Sequence, residues 1–300
     1  MIQAIIDVGS NTIRMAIYHF HEKKAEMIYK KKYIAGLASY LDNGFMKKDG
    51  IDKVCEILDD FSAFLKKFDI DRVSAFATAA IRNCSNSKAV VEEIVSRTGI
   101  NVRVITGDEE AMYDFYGAIH SIENDSGILA DIGGASTELI YYKNRSIVSK
   151  ISLEMGSLDF QTKYSSGILP SPDDAEIMRS KADEILSSAT EFKDISISSI
   201  CGIGGTFKGT RALYNEITGK KDNNNVPAGC LDEMIKRFAI SGSLSEKDTI
   251  ILMKSIPDRI NTVIPGMIIA DAIARKFKSS NIVYSDSGVR EGFIYRELMK

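Results

Sequence analysis

The chain has 300 residues, 44% of them hydrophobic and 26% charged, with five prolines and a net charge of −3. This composition suits a globular protein with room for two ordinary domains, and the near-neutral charge provides no basic field for nucleic acid. No apolar run is long enough to span a membrane and no charged-then-apolar leader opens the chain, so we expect no membrane contact and a cytoplasmic location.

In chain order, strands are expected at about 2–8, 13–20 and 25–34. Between the first two lies Asp7-Val8-Gly9-Ser10-Asn11-Thr12-Ile13-Arg14. Glycine and small polar residues in such a turn let backbone N–H groups line a concavity that suits an anion. An amphipathic helix is expected from Ile51 to Phe68, with Val54, Ile57, Leu58, Phe61, Phe64 and Leu65 on one face. A strand at 73–77 leads into Thr78-Ala79-Ala80-Ile81-Arg82-Asn83, and a helix at 88–97 is closed by Gly99. A strand at 101–105 runs into Thr106-Gly107-Asp108-Glu109-Glu110-Ala111. Thr106 and Glu109 form a capping box at a helix start. That gives Glu109 a structural task. Glu110 points about a hundred degrees further round the helix and is left for the helix dipole or for catalysis.

The polar turn 121–126 reads as a hinge. Strands at 127–131, 136–142 and 145–152 repeat the opening pattern, with Asp131-Ile132-Gly133-Gly134-Ala135-Ser136-Thr137-Glu138 between the first two. Asp131 matches Asp7, Gly133 matches Gly9 and Ser136 matches Thr12. Two copies this far apart indicate a duplicated domain rather than a solenoid. Asp131 at a strand end suits a hard cation, directly or through water. A helix starts at 154–157 and another runs from Pro172 to about Phe192. A strand at 195–200 enters a third glycine turn, Cys201 to Thr206, followed by a helix at about 207–217. Its Lys208 and Arg211 are either solvated helix charges or anion contacts, and charge alone favours the solvated face. Ser255 to Ile260 and Val263 to Gly266 precede an apolar helix at 267–277, and Ser285 to Gly292 lead into a final helix. The alternation of strands and helices makes the fold class α/β.

Cys55, Cys84, Cys201 and Cys230 lack metal-ligand spacing and read as reduced thiols. His19 and His21 share a strand face, but three histidines in all are too few for a histidine-based centre, and a solvated face is the reading adopted.

The blocks DVGSNTIR, TAAIR, GDEEA, DIGGASTEL, MGS, GIGGT, IPDRINTVIPG and SGVREG stand in the order found in exopolyphosphatases and guanosine pentaphosphate phosphohydrolases. The chain resembles that family, part of the actin, sugar-kinase and heat-shock-chaperone ATPase superfamily, from Asp7 to Gly292. The resemblance implies two duplicated ribonuclease-H-like (actin-like ATPase) domains, about 1–121 and 122–300, with an interdomain cleft and the C-terminal helix at 289–300 packing back on the first. It implies the short, two-domain form.

The resemblance also makes Glu110 the catalytic carboxylate. It implies a Mg²⁺ site at Asp131 and Glu138, with Asp7 in the matching place of the first loop. The implied substrate contacts are Gly9, Ser10, Asn11, Thr12 and Arg14, then Arg82, then Gly133, Gly134, Ala135, Ser136 and Thr137. Gly204, Gly205, Lys208 and Arg259 complete them. In two places the chain departs from the family pattern. Ala135 stands where a third glycine is common, which is tolerable only with a negative φ. Ala79 and Ala80 replace residues that are often polar. The implied substrate is inorganic polyphosphate or guanosine pentaphosphate, and a homodimer is compatible with the chain.

Phosphoanhydride hydrolysis needs an in-line water, charge neutralisation and positioning. Amide-lined loops with Mg²⁺ would neutralise the phosphoryl oxygens, and Glu110 would deprotonate the water. No Ser–His or Cys–His pair is evident, which favours direct displacement. The rival readings are an ATP-dependent kinase of the same superfamily and a non-enzymatic reader of polyphosphate or guanosine tetraphosphate. A dinucleotide fingerprint at Gly202 is disfavoured, because Phe207 replaces its last glycine.

Overall fold

The computed structural model describes residues 1–22 and 24–299. It divides into two compact units: Met1–Glu110 with the residues from Ile294 onward, and Ala111–Phe293.

Unit 1 opens with β1 (Ile2–Val8), β2 (Thr12–His21) and β3 (Lys24–Ile34), then a small hairpin of β4 (Leu41–Asp42) and β5 (Phe45–Met46). There follow α1 (Lys48–Lys66), β6 (Val73–Ala77), α2 (Ala79–Arg82), α3 (Ser87–Thr98) and β7 (Val102–Val104). The sheet order is β3-β2-β1-β6-β7. Helix α1 forms because its apolar residues recur every three or four positions. It buries Val54, Leu58, Phe61 and Leu65 in the core under the sheet. Helix α3 stops where Gly99 takes a left-handed φ of 71°.

Helix α4 (Gly107–Ala118) leads into unit 2. That unit holds β8 (Gly127–Ile132), β9 (Thr137–Lys143), β10 (Ser146–Leu153), α5 (Ser157–Tyr164), α6 (Pro172–Ser187) and β11 (Ser199–Ile203). Then come α7 (Gly204–Thr218), β12 (Asn225–Pro227), α8 (Gly229–Phe238), α9 (Glu246–Ser255), α10 (Ile260–Lys276), β13 (Asn281–Tyr284) and α11 (Val289–Phe293). Its sheet runs β10-β9-β8-β11-β13-β12. The first five strands repeat unit 1 in order and in sense, two antiparallel steps followed by two parallel ones. The duplication expected from Asp7 and Asp131 is thus present in both sheets, and β12 adds an antiparallel edge to the second.

Unit 2 begins before the polar turn 121–126. The reason is that Ala111, Phe115, Ala118 and Ile119 of α4 share a buried cluster with Leu129, Ile140 and Ile203 of the second sheet. The π-helical turn Ile294–Leu298 clusters with unit 1. The last residue of the expected helix 289–300, Lys300, lies outside the described residues.

Several expected boundaries shift. The strand expected at 195–200 is β11, Ser199–Ile203, and the helix after it starts at Gly204 rather than 207, so the expected glycine turn is divided between the strand end and the helix start. The apolar helix expected at 267–277 is α10, which starts at Ile260 and runs through Pro265. A mid-helix proline usually breaks a helix, but here residues 262–274 are all buried and packing outweighs one lost hydrogen bond. Helix α6 ends at Ser187, short of Phe192. Helices α8 and α9 were not expected, although Ser245 capping α9 through the Asp248 N–H is a signal of the usual kind.

The SGVREG block packs helix α11 against α4. A Cβ on Gly292 would lie 1.7 Å from the Tyr113 carbonyl oxygen, and one on Gly117 would lie 2.1 Å from that of Gly288. Gly292→Ala is therefore expected to destabilise the protein by about 1–3 kcal/mol or more through overpacking, measured by urea denaturation. A neutral result would mean that the two helices separate without cost. Among the described residues, no helix is long and apolar enough to cross a membrane. All four cysteines are free thiols, and burial pushes that of Cys201 up to about 12.

Candidate active site

The two Asp-containing turns are built alike. Asp7 pairs across the hairpin with Arg14, and Asp131 pairs with Glu138 at the matching rung. The Gly9 N–H donates to the Thr12 carbonyl at 3.1 Å, and the Gly133 N–H donates to the Ser136 carbonyl at 2.9 Å. A Cβ on Gly9 would lie 2.9 Å from the Thr12 oxygen and one on Gly133 3.1 Å from the Ser136 oxygen. A side chain at Gly9 would force the turn to shift, and one at Gly133 would crowd it. Ala135 is not among the residues with positive φ, so its departure from the family glycine is tolerated.

In each turn the carbonyls are held from behind. Ser10 and Asn11 accept from the N–H groups of Ala38, and of Ala35 and Gly36, at 2.9–3.0 Å. Gly133 and Gly134 accept from the N–H groups of Ser157, and of Leu158 and Asp159, at 2.8–2.9 Å. The MGS block makes this possible, because a Cβ on Gly156 would fall 2.3 Å from the Ala135 nitrogen. Fixing the carbonyls on one side leaves the amide side of each turn for an acceptor such as a phosphate oxygen. Ser10 is 5% exposed, and its Oγ accepts from the Ala80 N–H at 3.1 Å. Thr137 is fully buried and donates its hydroxyl to the Met155 carbonyl, so its contribution is to hold the loop.

The third turn meets the second within unit 2. Gly204 has a φ of 77°, and a Cβ on it would lie 2.1 Å from Asp131 Oδ1. A Cβ on Gly205 would lie 2.1 Å from a guanidinium nitrogen of Arg259. The bare Gly204-Gly205 backbone therefore has the Asp131 carboxylate on one side and the Arg259 guanidinium on the other. The DIGG, GIGGT and PDR blocks converge there. Lys208 is exposed and pairs with Asp286 at 3.2 Å.

Asp131 and Glu138 are carboxylates on one rung of an antiparallel pair, an arrangement that is unfavourable for like charges unless a cation or proton intervenes. Glu138 is buried, and its Oε1 accepts from Ser136 at 2.9 Å and from Ser152 at 2.6 Å. These hard oxygen donors fit Mg²⁺. Asp7 fits less well, because the Arg14 guanidinium already lies 4.0 Å from it.

In unit 1, the capping box is present. The Thr106 N–H donates to Glu109 at 2.8 Å and the Glu109 N–H donates to Thr106 Oγ1 at 3.1 Å. Glu109 also pairs with Arg103. Glu110 is left to turn inward, 7% exposed, where it forms an ion pair with Arg82 from the end of α2. Two blocks that the sequence separates, TAAIR and GDEEA, thus meet at one charged contact.

The chain matches the Ppx/GppA phosphatase family over residues 16–300. It belongs to that family. A provisionally named exopolyphosphatase of Haemophilus influenzae is 25% identical over 295 residues, covering 97% of this chain and 90% of its own. The crystal structure of an exopolyphosphatase from Cytophaga hutchinsonii superimposes with a TM-score of 0.84 at 21% identity, covering 98% of this chain and 97% of that one. An Aquifex aeolicus Ppx/GppA family member gives 0.77 at 24% identity, covering 100% of this chain and 98% of that one. The fold is accordingly the two-domain actin-like ATPase fold that these Ppx/GppA proteins share.

The Glu109 cap has a pH signature. Burial pushes its carboxyl up, but the Thr106 N–H and the Arg103 guanidinium outweigh that and hold it below its ordinary value of 4.5. A carboxyl with a depressed folded pKa contributes stability that is present above the unfolded value and lost as pH falls through the folded one. The stability difference between wild type and Glu109→Gln should therefore shrink as urea melts are taken from about pH 6 down to about pH 3. A constant difference would mean that the cap is not what Glu109 supplies.

Proposed function

We propose that this chain releases terminal orthophosphate from inorganic polyphosphate by direct attack of water, with Glu110 as the base. The observation that carries this reading is the Glu110–Arg82 pair, inward-facing and separate from the cap that Glu109 makes. The guanidinium faces the carboxylate, and an arriving phosphate chain competes for the same guanidinium. The water oxygen bonds to the terminal phosphorus, its proton passes to Glu110, and the bond to the bridging oxygen breaks as the shortened chain leaves.

In unit 1 the turn offers the amides of Ser10 and Asn11 to phosphate, the Gly9 N–H being spent on the Thr12 carbonyl. In unit 2 the amides of Gly134 and Ala135 do the same, with Arg259 as the cation beside the third turn. Asp131 and Glu138 would hold Mg²⁺, which when bound supplies charge neutralisation at the phosphoryl oxygens.

The test is phosphate release, with Mg²⁺ and without any acceptor, from polyphosphate of increasing length, guanosine pentaphosphate and ATP. Release from polyphosphate supports the proposal. Preference for guanosine pentaphosphate moves the assignment to the other named substrate, and no release without an acceptor favours a kinase or a binding-only role. Arg259→Ala should raise KM more for long chains than for short ones. Equal effects at all lengths would confine Arg259 to the terminal phosphate.

A further inference from the structure

Strands β2 and β3 carry a cluster outside the residues assigned above to phosphoryl transfer. Among the described residues, His19, His21 and Glu26 form a group whose ligand atoms all lie within 4.8 Å of one another. The hairpin register produces it. Glu26 lies directly across from His19, and His21 lies two residues further along the same strand, so all three side chains rise from one face. The two imidazole rings are 5.0 Å apart, centroid to centroid. All three side chains are exposed, so none is committed to the core. Two histidines alone are too few ligands, and Glu26, supplied by the cross-strand register rather than by sequence spacing, provides the third.

We propose that this face binds one divalent transition-metal ion of the zinc or nickel class, held by His19, His21 and Glu26 with water completing the shell. Imidazole nitrogen selects such ions over Mg²⁺, which prefers an all-oxygen shell. Ligand atoms round a tetrahedral zinc stand about 3.3 Å apart, given bonds of about 2.0–2.1 Å. The observed spacing closes to that by side-chain rotation alone, on a backbone already fixed by the strand ladder. Lys24 opposes binding: it lies across from His21 and so shares that face, and its ammonium repels a cation. The site is built from a strand face of unit 1 that is distinct from the phosphate-loop residues, so it stands or falls independently of the phosphatase reading.

Isothermal titration of the full chain with Zn²⁺, Ni²⁺ and Mg²⁺ tests it. Wild type should take up one equivalent of Zn²⁺ or Ni²⁺ that Mg²⁺ in excess does not displace. His19→Ala, His21→Ala and Glu26→Gln should each weaken that binding by at least about tenfold, since even loss of a ligand's supporting partner costs 10–100-fold. Lys24→Gln should tighten it, an outcome that a folding defect cannot imitate. Zinc or nickel binding unchanged in all three ligand variants, or absent from wild type, would overturn the proposal.

Discussion

Glu110→Gln is expected to lower kcat by about 10²–10⁴-fold, the usual worth of a general base, with substrate binding largely kept. Glutamine keeps the shape and can still accept from Arg82 through its amide oxygen, but it cannot take a proton from water. Loss of the Arg82 ion pair adds a stability cost of roughly 1–3 kcal/mol, because the pair is mostly shielded from solvent. That cost does not account for the rate loss, because the remaining folded enzyme would still turn over normally if Glu110 were only a structural partner. Glu109→Gln is the control. It removes the cap and the Arg103 pair, which should cost about 1 kcal/mol of stability and little rate. The decisive comparison is kcat and melting temperature for both variants side by side. An inactive Glu109→Gln beside an active Glu110→Gln would move the base by one residue. Full activity in both would place water activation elsewhere.

The features legible in the sequence are those set by local spacing. Asp7 and Asp131 stand at the same distance from their glycines, so the two hairpins share a register and the two sheets an order. Thr106 and Glu109 are three residues apart, so the capping box could be read directly. The contacts that shape the site are of another kind. The backbone amides of Ser157, Leu158 and Asp159 hold the carbonyls of the second loop, and backbone groups leave no mark in residue identity. Arg259 lies on Gly205 only because α10 packs on α7, a relation between segments far apart in the chain. Pro265 shows the converse: the local rule reads a helix boundary, and burial on all sides carries the helix through it. The Glu110–Arg82 pair lies between the two cases, since each residue belongs to a recognisable block but their meeting depends on how α2 and α4 emerge from the unit 1 sheet.

Gly204→Ala is expected to weaken the proposed Mg²⁺ site without replacing a ligand. The added methyl would lie 2.1 Å from Asp131 Oδ1, so the carboxylate or the turn has to move. The φ of 77° adds a backbone cost of about 1–2 kcal/mol for a residue with a Cβ. Displacing Asp131 should raise the Mg²⁺ concentration for half-maximal activity by at least about tenfold, a loss of the size that follows from disturbing a ligand's support. Asp131→Asn should do the same with a normal melting temperature, because it keeps the shape and removes the charge. The two variants separate geometry from charge. If Gly204→Ala loses stability while its Mg²⁺ dependence stays normal, the turn is structural and Asp131 does not hold the metal. If Asp131→Asn retains full activity at ordinary Mg²⁺, Asp131 leaves the site altogether. If both need more Mg²⁺ and only Gly204→Ala melts earlier, the carboxylate is the ligand and the bare glycine is what lets it reach the ion.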